Sequence, residues 1–447
     1  MRNFMRLQPQ CYSAARPRLV TGPCCRRFTP FFARSNEFSL FYTGKPYTEP
    51  IPAGHFARRE GVHLIDSGAT PRRAKAPKQS GLALLRSLLV PRPAPAREPS
   101  LDTAAKNWLG RRPSPDRLNL ALQGGGAHGA FTWGVLDSLL EDPRIQFEGL
   151  SGSSAGAMNA VVFADGWMRG QREGARQALA DFWGEVGKQM PWGMMTQGQG
   201  DAISLSPASK MLANWAGYFS PAQLNPLELN PLRDLLNRQV DFERLRAGSP
   251  FKLFIGTTQV NTGKLRVFRE HELTAEVLLA SACLPKIHHS VEIDGQPYWD
   301  GGYSANPAVF PLFYDCDSRD VLLVLLSPLE RDGTPRSVEE IEARIVELAF
   351  NATFMREMRM FAHATEFSSP TFLTMGRLER RLQKMRFHMV DSAELVSLQR
   401  TETKLLAHGP FLELLRDQGR ERAGTWLSTH YEGIGRRSTV DVKKWFS

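Results

Sequence analysis

The stretch Leu120–Ala160, "LALQGGGAHGAFTWGVLDSLLEDPRIQFEGLSGSSAGAMNA", holds a triple glycine and a Gly-Ser-Ser-Ala-Gly turn fewer than 30 residues apart. Before the glycines, "RLNLALQ" is a short apolar run that reads as a buried strand leading straight into Gly124. After them, Val135, Leu136, Leu139 and Leu140 recur at helical spacing with Asp137, Glu141 and Asp142 opposite, predicting a helix over about Ala130–Leu140. The glycines therefore stand between a strand and a helix N-terminus, where unpaired N–H groups and the helix dipole favour an anion. "IQFEGLSGSS" reads as a second strand with Ser154 at its tip, and "AGAMNAVVFADG" as the helix behind it. Ser154 is the centre of a G-x-S-x-G pattern from Gly152 to Gly156, whose small flanking residues permit the tight turn that lifts a serine hydroxyl clear of the backbone.

Three readings of this stretch compete. Gly124, Gly126 and Gly129 fit the dinucleotide fingerprint G-x-G-x-x-G, but that motif expects a carboxylate near the end of the second strand, and Glu148 comes too early for it. Both turns are also compatible with structural glycines in an ordinary α/β sheet. Only the third reading explains the two devices together: the glycine loop supplies N–H donors for an oxyanion and Ser154 is the nucleophile. It needs a base. Downstream, "EIDGQPYWDGGYSANP" has the hairpin pair Asp294-Gly295, a short strand, and then Asp300-Gly301-Gly302. An Asp-Gly turn alone is commonplace; in order behind the other two motifs, Asp300 becomes the candidate base.

With these three motifs in place the chain resembles the patatin-like phospholipases, whose pattern is a G-G-G-x-x-G loop, a G-x-S-x-G elbow 25–30 residues on, and a distant D-G-[GA]. The resemblance covers about residues 116–330. It implies an α/β fold, a three-layer α/β/α sandwich around a mostly parallel sheet with C-terminal helices. It also implies a Ser–Asp dyad, with Ser154 on the family's nucleophile, Asp300 on its base and Gly124, Gly125 and Gly126 on its oxyanion loop. Gly129, Gly152, Gly156, Gly301 and Gly302 fall on the supporting motif positions. His128 stands where the family usually carries Arg or Lys. The implied substrate is a lipid or fatty-acyl ester, with no metal and no cofactor. A Ser–His–Asp triad is the rival chemistry; His363, His388, His408 and His430 are available to it, none in a Gly/Asp-rich loop, and His288-His289 precede Asp300.

The net charge of +10 is unevenly placed. Residues 1–116 carry 20 Lys/Arg against 7 Asp/Glu, a net +13, and the remainder 36 against 39, a net −3. The expected catalytic region is thus no nucleic-acid binder, and any attraction to an anionic membrane belongs to the N-terminal extension. That extension, residues 1–115, holds 15 of the 30 prolines and reads as disordered. "GLALLRSLLVP" (81–91) is too short to span a bilayer but has an apolar face. With no secretory signal or spanning segment legible, the expectation is a cytoplasmic or peripheral membrane protein. Cys283 and Cys316 read as free core thiols.

The remaining segments divide into 116–330 as the catalytic domain and a mainly helical 331–447 packed on it. Trp167, Trp183, Trp192 and Trp215, with Met168, Met190, Met194, Met195 and Met211, are either an apolar lining or lid for acyl chains or plain helix core. A strand pair around "NTGK", a helix over Thr274–Ser281, a strand over Val321–Ser327, and a helix capped by Ser337 and Glu340 to about Phe361 follow. Helices near 391–407 and 409–430, covering the sheet or forming a dimer surface, complete the chain.

Overall fold

Alternate side chains of the first strand enter two different cores. In the computed structural model, which describes residues 117–189, 192–216, 218–331, 333–367 and 376–447, Leu118, Leu120 and Leu122 join one apolar cluster and Ala121 another. The strand near the far edge repeats the pattern: Leu322 and Val324 face the first cluster, Val321 and Leu323 the second. A sheet buried on both faces in this way needs a helical layer on each side. The expectations for the N-terminal extension, and for Met190 and the Trp192 side chain, lie outside the described residues.

The sheet has eight strands: β1 (Arg117–Leu122), β2 (Gln146–Gly152), β3 (Lys252–Gln259), β4 (Leu265–Arg269), β5 (Val291–Ile293), β6 (Gln296–Asp300), β7 (Asp320–Val324) and β8 (Arg386–Val390). In space β8, β7, β1, β2 and β3 run side by side and parallel. β4 and β6 pair antiparallel with β3, and β5 with β6 across Asp294-Gly295, both at positive φ as a tight hairpin turn requires. The helices used below are α1 (Gly129–Glu141), α2 (Ala155–Val186), α3 (Pro207–Ala216), α4 (Pro231–Gln239), α5 (Ala275–Ser281), α6 (Phe310–Asp315), α7 (Val338–Phe367) and α8 (Gly409–His430). α1, α2 and α8 build the first core, and α6 and α7 the second, with Phe313, Phe354 and Phe361 at its centre. The result is an α/β/α sandwich on a mostly parallel sheet.

α1 is almost wholly buried because α8 covers the side turned away from the sheet. The two helices touch backbone to backbone: a Cβ on Gly134 would collide with the Arg416 carbonyl, and one on Gly419 with the Phe131 carbonyl. The sheet also continues beyond the three motifs, since β8 lies in the C-terminal region.

Several local expectations hold. The helix expected over Thr274–Ser281 is α5, with Thr274 as its cap, and the expected Ser337 and Glu340 form a reciprocal cap on α7. Cys283 and Cys316 are free and buried. Others are corrected. The strand expected over Val321–Ser327 stops at Val324, because the Leu326 and Ser327 amides donate to the Gln123 side chain at 2.6 and 2.9 Å. The helix expected near 391–407 is only a turn at Val396–Gln399 and a tight helix at Thr401–Leu405. There the Thr403 hydroxyl donates to the carbonyls of Arg400 and Ser397, at 2.6 and 3.2 Å, the local competition that makes threonine a poor helix interior. The Trp/Met-rich stretch divides: Trp167 and Trp183 belong to α2, whereas Met194, Met211 and Trp215 are exposed. Among the described residues no helix is long and apolar enough to cross a membrane.

Candidate active site

Strand β3 brings the two distant motifs together. β4 occupies one of its edges continuously, from Phe254 to Thr258. The other edge is shared: β2 pairs with Lys252–Ile255, and β6, running the opposite way, pairs with Thr257–Gln259. The two strands therefore meet tip to tip beside Gly256. Ser154 follows the tip of β2, and Asp300 is the tip of β6.

Ser154 has φ 53° and ψ −124°, a conformation that L-residues rarely adopt, and it opens α2. Strain of this kind costs about 1–3 kcal/mol and persists only where the surroundings enforce it. The enforcement is visible. The Ser154 amide donates to Ser281 Oγ at 3.0 Å, Ser281 Oγ donates to the Gly256 carbonyl at 2.7 Å, and Ser153 Oγ donates to the Ala305 carbonyl at 2.6 Å. Gly156 lies flat on β1, where any Cβ would strike the Leu122 carbonyl, and Gly152 is as tightly packed against Gly156.

Asp300 is 1% exposed, and its carboxylate accepts the Gly302 amide at 2.7 Å, with the Ser154 side chain beside it. Burial pushes its pKa from 3.8 up to about 7, with the Gly302 amide and the Ser154 hydroxyl pulling the other way. Gly301 is pressed on the Gly256 carbonyl and Gly302 on the Phe350 ring, so neither position has room for a side chain. Ser154 and Asp300 open on a cavity of about 480 Å³. Its walls are largely apolar, with Met158, Phe182, Trp183 and Val186 of α2 facing Leu284 and Ile287. Cavities of this size and character take small organic or acyl groups.

Gly124, Gly125 and Gly126 line the same cavity beside Ser154. They are not equivalent. The Gly124 amide donates to Asn306 Oδ1 at 2.7 Å, while among the described residues the Gly125 and Gly126 amides have no acceptor. Gly126 has φ +59°, with the Lys404 carbonyl where a side chain would be. Gly129 begins α1 against Ala155 and Trp183.

His128 carries no charge to the site. It is fully buried, with Nε2 2.7 Å from Thr403 Oγ1 and, among the described residues, no partner for Nδ1. Because the Thr403 hydroxyl donates to a carbonyl, His128 donates to it from Nε2, as a neutral ring. Burial, with Lys404 and Arg331 nearby, holds its pKa well below the usual value. None of His363, His388, His408 and His430 lines the cavity. His388 is a core residue, 3.0 Å from Asp320 in an ion cluster with Arg386. His288 does reach the cavity rim, but its Nδ1 accepts the Leu284 amide at 3.3 Å, which leaves the neutral ring a donor at Nε2.

Residues 120–313 match the family model for patatin-like phospholipases. The chain carries a patatin-like phospholipase domain. The family's chemistry is lipid acyl hydrolysis, so this domain belongs to an enzyme class acting on lipid esters. No curated protein matches the chain. Among solved structures, VipD from Legionella pneumophila is similar at 16% identity and a TM-score of 0.32, over 70% of this chain and 67% of that one. The matched part of the patatin-like domain ends before β7 and β8, which complete the sheet, and before the 401–407 segment, which completes the cavity.

Gly256, Ser281, Asn306 and Lys404 escaped the sequence reading. Asn306 stands in the quoted "DGGYSANP" and only its contact with Gly124 shows its role as a clamp on the loop. Lys404 has no motif around it at all.

Proposed function

We propose that the protein is a serine acyl hydrolase of phospholipase A or lysophospholipase type, working through an acyl-enzyme on Ser154. Asp300 accepts the Ser154 proton as Oγ attacks the ester carbonyl, and gives it to the departing alcohol as the tetrahedral intermediate collapses. Water then repeats the sequence, with Asp300 taking a water proton and returning it to Ser154 as the fatty acid leaves. The observation that carries this reading is a serine on a strained elbow set beside a buried carboxylate whose pKa is raised to about 7, both opening on one apolar cavity. A carboxylate of ordinary acidity would be a poor acceptor for a hydroxyl proton; burial narrows that gap.

The remaining barrier falls to electrostatic stabilisation of the oxyanion. With the Gly124 amide committed to Asn306, the donors are the Gly125 and Gly126 amides, each worth about 2.7–4 kcal/mol if the contact forms only in the transition state. Gly124 acts by shape, since any side chain there would meet the Ser153 carbonyl and the Ser154 side chain. The apolar wall of α2 receives the acyl chain. Labelling with a fluorophosphonate and mapping of the adduct tests the reading: modification at Ser154, lost in Ser154→Ala and Asp300→Asn, supports it, and labelling elsewhere or none in the wild type overturns it.

A further inference from the structure

The loop position where the family's motif has a cation is occupied by a buried neutral ring, yet the cavity contains an ammonium from elsewhere in the chain. Lys404 follows Thr403, the partner of His128, and its carbonyl packs on Gly126. Its side chain is partly buried and lines the cavity that holds Ser154 and the glycine loop. Among the described residues its Nζ has one hydrogen-bond partner, the Ser327 hydroxyl at 3.1 Å. The carboxylate that would be its natural counter-ion, Glu347 on the same cavity wall, is already held by Arg331 at 2.8 Å and Arg344 at 3.0 Å.

An ammonium has three donors, so Lys404 keeps two beyond the one given to Ser327. Burial lowers its pKa, Glu347 partly offsets this and Arg331 adds to it. A charge withdrawn from water without a carboxylate contact is costly, and an arriving anion removes that cost. The exposed rim carries one further lysine, Lys286, which water screens far better.

Resting on the hydrolase reading above, we propose that Lys404 is the residue that selects anionic lipid substrates, by donating charge-assisted hydrogen bonds to a phosphoryl oxygen of the head group. The acyl chain then lies along the α2 wall and the phosphate on the side of Lys404 and Ser327.

The test compares two soluble substrates with the same octanoyl chain, lysophosphatidylglycerol and monoacylglycerol, on the full-length protein. In Lys404→Met, the ratio of kcat/KM on the phospholipid to that on the neutral ester is expected to fall about tenfold or more, the size of a lost charge-assisted hydrogen bond, chiefly through KM. Lys404→Arg should retain most of the ratio, and Lys286→Met should change it less than Lys404→Met does. Melting temperatures confirm that the variants are folded, and Lys404→Arg gives the second reading if Lys404→Met is not. Equal losses on both substrates, an unchanged ratio, or a larger effect at Lys286 would overturn the proposal while leaving the hydrolase reading intact. A wild type that cleaves neither substrate and is not labelled at Ser154 would remove both.

Discussion

Two regions meet at the cavity and could hardly differ more in how they are encoded. Gln123–Gly156 is rigid backbone machinery: glycines pressed on neighbouring main chain, a serine in a strained conformation, and a helix starting behind each turn. Thr401–Ala407, a tight helix and its exit, arrives from the far end of the chain and contributes side chains. On the proposed reading the first has to hold an oxyanion and a nucleophile, and these need fixed geometry. The second has only to fill a wall, and many residues can fill a wall. If the hydrolase reading holds, reaction type is written in the first region and substrate choice in the second.

The comparison breaks most directly at the dyad. Ser154→Ala and Asp300→Asn are each expected to lower kcat by about 10,000-fold or more, with the double variant hardly worse than either, since the pair acts as a unit. Substantial turnover in Asp300→Asn, measured on a soluble short-chain ester, would hand the base role to another group. The acid limb of the pH profile follows from the same burial. Asp300 must be ionised to act, so kcat/KM should fall tenfold per unit below about pH 7 and level off above it. A profile flat down to pH 5 would contradict this.

Stability should run the opposite way to activity. A carboxyl whose folded pKa is raised favours the folded state while protonated, and that advantage is lost as pH climbs from about 4 to about 7. Asp300→Asn escapes the loss. It should unfold at higher denaturant than the wild type at pH 8, by up to about 4 kcal/mol, with the gap closing toward pH 4. Glu357 is its control. It is also pushed to about 7 by burial, but its carboxylate accepts the Val309 and Phe310 amides at the start of α6, away from the cavity. Gly419→Ala, which presses α8 away from α1, should cost about 1–3 kcal/mol of stability at any pH, as overpacking does. A neutral result in urea would mean that the helices separate freely. A loss of similar size, about 1–3 kcal/mol, is expected at Thr403→Val, which strips His128 of its partner, read by thermal melting with ester hydrolysis largely kept.

The sequence by itself determined the chemistry-bearing core: a strand ending in three glycines, a serine elbow, an Asp-Gly-Gly at a strand end, and the layered fold that these motifs imply. Those positions are legible because the demand is local. Only glycine fits where the Leu122 or Gly256 carbonyl occupies the side-chain position, and an exposed hydroxyl at a strand tip needs small neighbours on both sides. What only the tertiary structure decided was the company these groups keep. β3 divides one edge between two strands and so sets Asp300 against Ser154; Asn306 reaches back to take the Gly124 amide; Thr403 partners the buried His128, and Lys404 lines the cavity beside the glycine loop. Each of these partners lies 100 residues or more from its target, and packing at that separation leaves no periodicity, spacing or composition in the chain to read.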